Sequence, residues 1–280
     1  MTLMTMVMLV TVCAMATPLH VASYNIRYDS YDDSVAGNGW RQRCPQVCSI
    51  INYEQPDVFG AQEVLDHQLH DMLSRLPDYA YVGVGRDDGD KQGEYAAIFY
   101  RTDRFDLLDS GHFWLSETPN HPGLGWDAAC VRICTWAHLQ DRSSHREVLF
   151  MNLHMDHVGT VARRESARLV VERVREMAAG KTVILTGDFN VDQTDEIYQI
   201  FTTSGCLKDS YEAAQVRLAP YGTFNDWNTR EVSTSRIDHV FVSPSVQVCR
   251  YAIMTNVYWD ARGQLRLPSD HYPVFVKLEY

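Results

Sequence analysis

The chain has 280 residues, 45% hydrophobic and 22% charged, with a formal net charge of −11. That composition permits an ordinary globular core and argues against a broad electrostatic grip on duplex nucleic acid, which needs clustered Lys and Arg. It leaves room for an enzyme that meets phosphates through bound cations, because carboxylates gathered at a metal site would add to the negative charge.

Residues Leu3 to Ala16 form a continuous apolar stretch of signal-peptide length, shorter than a membrane span, and Ala14-Met15-Ala16 supplies a small-x-small cleavage pattern. A signal peptide at 1–16 and one domain at 17–280 are therefore expected, with a secreted or periplasmic product, although the usual basic segment is missing. A buried N-terminal element is the structural alternative. No other stretch is long and apolar enough to span a bilayer. There is also no repeat, low-complexity tract or linker that would divide the chain.

Strand-like runs follow at His20–Ile26, Asp57–Gln62, Tyr79–Val84, Tyr95–Tyr100, Phe105–Leu115, Val131–His138, Glu147–His154 and Thr182–Thr186. Others lie at Ile237–Ser243, Gln247–Thr255 and Pro273–Leu278. Helices are expected over Trp40–Tyr53, His67–Leu76, Thr160–Ala179 and Thr194–Thr203; in the third, Ala162, Leu169, Val170, Val174 and Met177 make an apolar stripe. Many strands with hairpin-length links imply a mixed sheet system flanked by helices rather than a purely parallel wound sheet. Cys44/Cys48 and Cys130/Cys134 share a four-residue spacing, the first pair on a helix face and the second on a strand face. Neither spacing suits a disulfide or a zinc site, so free thiols are expected.

The polar residues at strand ends are the informative ones. Asp188 and Asn190 emerge together after Val183-Ile184-Leu185-Thr186, with Phe189 turned back toward the core. Asn25 ends the first strand, Glu63 ends the second, and His154 ends a strand whose alternate members are Val148, Phe150 and Asn152. Asp238 and Asp270-His271 instead stand at the beginnings of strands. For all of these to meet at one edge, the last two strands must run antiparallel to the other four, as in two packed mixed sheets with loops gathered at one rim. Each residue alone also has a structural explanation, as a turn, a surface ion pair or a satisfied core histidine. It is the ordered set that carries weight.

Asn25, Gln62-Glu63, Asn152-Leu153-His154, Gly187-Asp188-Phe189-Asn190, Arg236-Ile237-Asp238-His239 and Ser269-Asp270-His271 resemble the ordered motifs of the endonuclease/exonuclease/phosphatase superfamily, the DNase-I-like fold, from about His20 to the C-terminus. The Tyr95–Arg101 run, Phe113–Pro119 and Trp126-Asp127 look like a secreted bacterial branch of it. The resemblance implies a four-layer α/β sandwich, two packed mixed β-sheets flanked by helices, and phosphoester hydrolysis with Mg2+ or Mn2+. It implies a metal held by Glu63 and Asn25 with Asp270 at longer range, in oxygen ligation that suits a hard cation. It also implies a water and phosphate oxygen held by Asp188 and Asn190, and a base His271 oriented by Asp238. His154, if protonated, would donate to a non-bridging oxygen.

Arg132, Asp156 and Asn152 are weaker substrate-side candidates; Asp156 also continues the face of His154 into the next loop, where it would help orient the rim, and Arg163 is more readily explained by surface pairing. Glu94 suits a supporting acid, and Trp114, Trp126, Trp227 and Tyr221 suit stacking on a base or sugar. The acidic Arg86–Asp90 run lacks the spacing of a calcium loop and is expected to be a solvated turn. The expected substrate is a phosphate ester of a sugar, an inositol, a lipid headgroup or a nucleic acid, and no stable protein partner is implied. A secreted nuclease is the enzymatic alternative. A non-catalytic binding module on the same fold is the other, and the retained Glu63 and Asp270-His271 speak against it.

Overall fold

In the computed structural model, residues 18–218 and 221–280 are described; residues 1–17, with the expected signal segment and Cys13, and the pair 219–220 lie outside them. The strands are β1 (Pro18–Asn25), β2 (Val58–Val64), β3 (Tyr79–Val82), β4 (Tyr95–Arg101), β5 (Phe105–Trp114), β6 (Ile133–Asp141), β7 (Glu147–His154) and β8 (Thr182–Asp188). They continue with β9 (Lys208–Asp209), β10 (Val216–Leu218), β11 (Asp238–Val242), β12 (Gln247–Ile253), β13 (Tyr258–Trp259), β14 (Leu265–Arg266) and β15 (Val274–Glu279). One sheet runs β10-β12-β15-β1-β2-β4-β3, the other β5-β6-β7-β8-β11-β9, and β13-β14 form a small separate hairpin.

Four layers result. Leu19, Val21, Val58 and Ile98 of the first sheet pack on Phe150, Ile184 and Val240 of the second. Helices α2 (Trp40–Glu54) and α3 (Asp66–Arg75) cover the outer face of the first sheet, and α4 (Thr160–Met177) and α5 (Glu196–Thr202) cover that of the second. The strand directions satisfy the requirement drawn from the motifs. β1 and β2 are parallel, as are β7 and β8, whereas β15 is antiparallel to β1 and β11 is antiparallel to β8.

Period-two alternation places a polar ladder between the sheets. On β1 the inter-sheet face is Leu19 and Val21, so Ser23 and Asn25 follow on that face; on β8, Thr186 and Asp188 follow Ile184. Asn152 is fully buried in this ladder, donating to Ala61 O at 3.0 Å and Ala97 O at 2.9 Å. Its Oδ1 accepts from Gln62 Nε2 at 2.6 Å and Thr186 Oγ1 at 3.1 Å. Its amide therefore ties the two sheets together and does not contact substrate, correcting that expectation.

The tie needs a bare backbone opposite it. A Cβ on Gly60 would lie 2.3 Å from both Asn152 Oδ1 and Thr186 Oγ1. Gly60→Ala is expected to destabilise the fold by about 1–3 kcal/mol through overpacking, read as a lower urea midpoint; an unchanged midpoint would show that the sheets can separate at no cost.

Every strand and helix expected from the sequence is present, with ends moved by a few residues. The additions are short: α1 (Tyr31–Val35), α6 (Ser210–Ala213), β9, β10 and the β13-β14 hairpin. One placement differs in kind, because β6 begins at Ile133 and Cys130 sits in the preceding bend, so Cys130 and Cys134 do not share a strand face. Cys44, Cys48, Cys130, Cys134, Cys206 and Cys249 are free thiols, as expected.

Candidate active site

The rim where β1, β2, β7, β8 and the starts of β11 and β15 meet opens into a cavity of about 930 Å³. Glu63, His154, Asp188, Asn190, Asp270 and His271 line it. The sequence-expected residues thus converge on one place, although their contacts refine several roles.

Glu63 reaches the cavity against strand parity. Gln62 takes the inter-sheet direction, so regular alternation would turn Glu63 outward. A bulge between Ala61 and Val64, with Glu63 at φ 61°, redirects its carboxylate to the rim. Asn25 then donates from Nδ2 to Glu63 Oε1 at 2.9 Å and to Asp188 Oδ2 at 3.0 Å, and its Oδ1 accepts the Arg27 backbone N–H at 3.0 Å. Its nitrogen, not its oxygen, faces the carboxylates. Asn25 is therefore a donor that sets their spacing, which corrects its expected place as a metal ligand.

His271 Nδ1 bonds Asp238 Oδ2 at 2.8 Å, and its Nε2 lies 3.6 Å from Asp188 Oδ2. Burial pulls the His271 pKa down, but Asp238 and then Asp188 outweigh it and hold the imidazole well above its ordinary range. Asp188 moves the other way from a normal carboxyl: burial, resisted by His271 and reinforced by Asp238 and Glu63, pushes it up to about 7. His154 Nε2 lies 3.5 Å from the same Asp188 oxygen. Burial, Arg132 and Arg86 drive the His154 pKa well below 6.5, so His154 is neutral near pH 7 and offers a single N–H. The protonated form considered from sequence does not fit these surroundings.

Asn190, at φ 51°, is fixed by donation from its Nδ2 to Met155 O at 2.9 Å and from its backbone N–H to Asp188 Oδ1 at 3.0 Å. Asp270 faces Arg27 Nη1 at 3.5 Å, and burial lifts its pKa to about 6 against the pull of His271. Arg27 also ion-pairs Asp33 at 2.8 Å and stands 3.9 Å from Glu63. No periodic pattern singles out Arg27, and the sequence alone missed it.

On the opposite wall, Arg86 grips Glu94 through two bonds of 2.6 and 2.9 Å, and Arg132 Nη2 meets His157 Nδ1 at 2.9 Å. Arg132 lines the cavity. Asp156 does not. Its carboxylate accepts the backbone N–H groups of Ala129, Cys130, Val158 and Gly159 and lies 3.4 Å from Arg132 Nε. Burial opposes ionisation there, but those four N–H donors bring its pKa down to about 2. Asp156 organises the rim and is corrected from substrate contact to support. Arg163 bonds Asp156 O and Thr160 Oγ1 instead of entering the cavity. Trp227 lines it, whereas Trp114 is buried with its Nε1–H on Arg86 O. The Arg86–Asp90 run is a turn in which Asp88 Oδ1 accepts from Asp90 and Gln92.

The donor set fits a hard divalent cation. Glu63, His154 and Asp188 each offer one ligand atom within 4.8 Å of the others. Oxygen ligands of this kind, with room left for water and phosphate in the cavity, suit Mg2+ or Mn2+.

His239, next to Asp238, serves the fold. Its Nε2–H donates to Val191 O at 2.8 Å and its Nδ1 accepts from Arg236 Nη1 at 2.9 Å. Burial, then Arg236, lowers its pKa to about 4. A neutral folded His whose unfolded counterpart titrates near 6.5 stabilises fully above that pH. Its contribution is lost as the pH falls from about 6.5 to 4, reaching about 3 kcal/mol. The stability gap between wild type and His239→Gln, followed by urea unfolding, is expected to be widest above pH 6.5 and to narrow toward pH 4. A gap independent of pH would contradict the assignment.

The Endonuclease/Exonuclease/phosphatase family model matches residues 22–271. A solved endonuclease/exonuclease/phosphatase family protein from Bacteroides thetaiotaomicron is 50% identical with a TM-score of 0.92, over 95% of this chain and 99% of that one. A mannosyl-6-phosphatase from the same organism is 51% identical with a TM-score of 0.91, over 94% of this chain and 100% of that one. Nocturnin of Xenopus laevis is 25% identical over 258 residues, which cover 84% of this chain and 62% of that protein.

Proposed function

The chain belongs to the endonuclease/exonuclease/phosphatase family, a hydrolase family of phosphate esters, and from that premise we propose that it is a Mg2+- or Mn2+-dependent phosphomonoesterase acting on a sugar 6-phosphate. The observation that carries the substrate class is the 51% identity, across nearly both full chains, to a protein described as a mannosyl-6-phosphatase. The net charge of −11 favours a small ester over a nucleic-acid strand.

The residues divide the work as follows. Glu63, with Asp270 beyond Arg27, would hold the cation. When bound, it would offset charge on the phosphoryl oxygens and on the departing sugar oxygen. Residue type and resemblance point to His271 as base, but Asp238 and then Asp188 outweigh burial and hold its pKa well above the ordinary imidazole range, which favours the protonated ring. We assign proton acceptance instead to the Asp188 carboxylate, which lies 3.6 Å from His271 Nε2 at the cavity wall. As water attacks in line, its proton passes to Asp188, the phosphorus–oxygen bond to water forms, and the bond to the sugar oxygen breaks with its electron pair. The His271 imidazolium, fixed by Asp238, and the single N–H of His154 donate to non-bridging oxygens as charge builds. Arg132 adds a forked donor from the opposite wall. Export is part of the proposal and rests on the apolar stretch Leu3–Ala16.

Phosphate release from mannose 6-phosphate, inositol phosphates, sphingomyelin, DNA and RNA, with and without chelator, tests it. Chelator-sensitive hydrolysis led by mannose 6-phosphate supports the proposal. Preference for DNA or RNA would replace it with the nuclease alternative, and no turnover on any of them would leave a binding module.

A further inference from the structure

The segment after β10 approaches the catalytic rim through Thr223–Asn228. Phe224 bridges to His271, Asn225 and Asp226 donate their backbone N–H groups to Asp270 O at 2.8 and 3.2 Å, and Asn225 Nδ2 donates to Ser269 O at 3.2 Å. The Asn225 side chain also caps the turn by accepting the Trp227 N–H at 3.0 Å. The turn is thus stapled to the main chain of the residues that carry the chemistry.

Its two outward residues sit in a costly conformation. Asp226 has φ 49° and Trp227 has φ 60°, consecutive left-handed residues with neither a glycine. Strain of this kind persists only where the surroundings over-determine it, and it concentrates at ligand sites. Both side chains line the catalytic cavity. The Asp226 carboxylate is exposed and makes no hydrogen bond or ion pair among the described residues. The Trp227 indole is braced by Arg43, whose guanidinium lies 5.3 Å from its ring centroid and 5.4 Å from that of Trp40. Arg43 is itself fully buried and donates to the carbonyls of Ile26, Arg27, Asn38 and Pro268. A half-buried ring at the cavity wall, held by a buried guanidinium, is a preorganised platform.

We propose that Asp226 and Trp227 form the leaving-group subsite, in which the indole stacks on the apolar C–H face of a pyranose ring and the Asp226 carboxylate accepts hydrogen bonds from its hydroxyls. The proposal rests on the phosphomonoesterase function above and names where its specificity resides. Aromatic faces suit the C–H side of a sugar, and a carboxylate accepts two hydroxyl donors at once. The same carboxylate opposes a nucleic-acid strand, which would carry a second phosphate past it.

The test compares mannose 6-phosphate with ethyl phosphate, which keeps the reacting group and lacks the ring. Trp227→Ala is expected to lower kcat/KM on mannose 6-phosphate by about 10–100-fold and on ethyl phosphate by less than about 3-fold. Asp226→Asn should show the same selectivity, and Trp227→Phe should recover most of the loss, which separates stacking from misfolding. Equal losses on both esters would overturn the subsite and make the turn a support for Asp270. Calorimetric binding of mannose 6-phosphate keeps the two proposals apart. Wild-type binding without turnover, abolished by Trp227→Ala, would refute the phosphatase function and uphold the subsite. Absence of wild-type binding would refute the subsite.

Discussion

His271→Ala is expected to lower kcat by about 10²–10⁴-fold with little change in KM, measured as phosphate release at saturating Mn2+. The ring is buried, bonded to Asp238 at 2.8 Å and turned with its Nε2 toward the carboxylate of Asp188. Its donation strengthens only as charge gathers on the phosphoryl oxygens, so the loss falls on the transition state. Asp238 acts through this ring. Asp238→Asn should therefore cost less than His271→Ala, and the double variant should be no worse than His271→Ala alone. The sign of the pH effect follows from the same pair. Asp238 is the leading influence that raises His271, so its removal lowers the pKa of the ring. Because the imidazolium is the working form, the alkaline limb of the rate profile should move to lower pH in Asp238→Asn. A His271→Ala enzyme within about threefold of wild type, folded by circular dichroism, would place the chemistry elsewhere.

The residues legible in the sequence are those whose direction follows from alternation. Asp188 and His154 lie on the inter-sheet faces of β8 and β7, so their apolar neighbours Ile184 and Phe150 already fix where they point. The antiparallel course of β11 and β15 likewise follows from the motifs, which stand at the beginnings of those strands and at the ends of the others. What was not legible depends on departures from regularity or on long-range partners. Glu63 faces the rim because a bulge reverses its parity, which no periodicity records. Asn152 has the parity of a site residue, yet the backbones of β2 and β4 take both of its amide hydrogens first. The neutrality of His154 comes from burial and from Arg132 and Arg86, which are distant in sequence. Arg43 left a trace that could have been followed, because it falls one turn before Val47 on the buried stripe of α2.

Glu63→Gln is expected to remove the response to Mn2+ in two independent measurements. In wild type, Mn2+ at about 100 times its dissociation constant should stabilise the fold by about 2.7 kcal/mol, seen as a raised melting temperature. The chain's buried acids make this direction necessary. Asp188 and Asp270 are held at about 7 and 6 by burial, and each counts Glu63 among the charges that raise it. A cation held by Glu63 relieves that repulsion, and losing the Glu63 charge removes its principal anionic ligand. The glutamine keeps the shape but places an amide against Asn25 Nδ2, which now donates to Glu63 Oε1. The apo variant should thus be no less stable than wild type, since one buried repulsive charge is gone, while the Mn2+-dependent rise disappears and activity falls by about 10²-fold or more. Thermal shift and phosphate release must change together for the site to be where Glu63 stands. If the variant kept its full thermal response to Mn2+, the cation would have to sit on other ligands and Glu63 would be only a partner of Asn25 and Tyr28, whose backbone N–H it accepts at 3.1 Å.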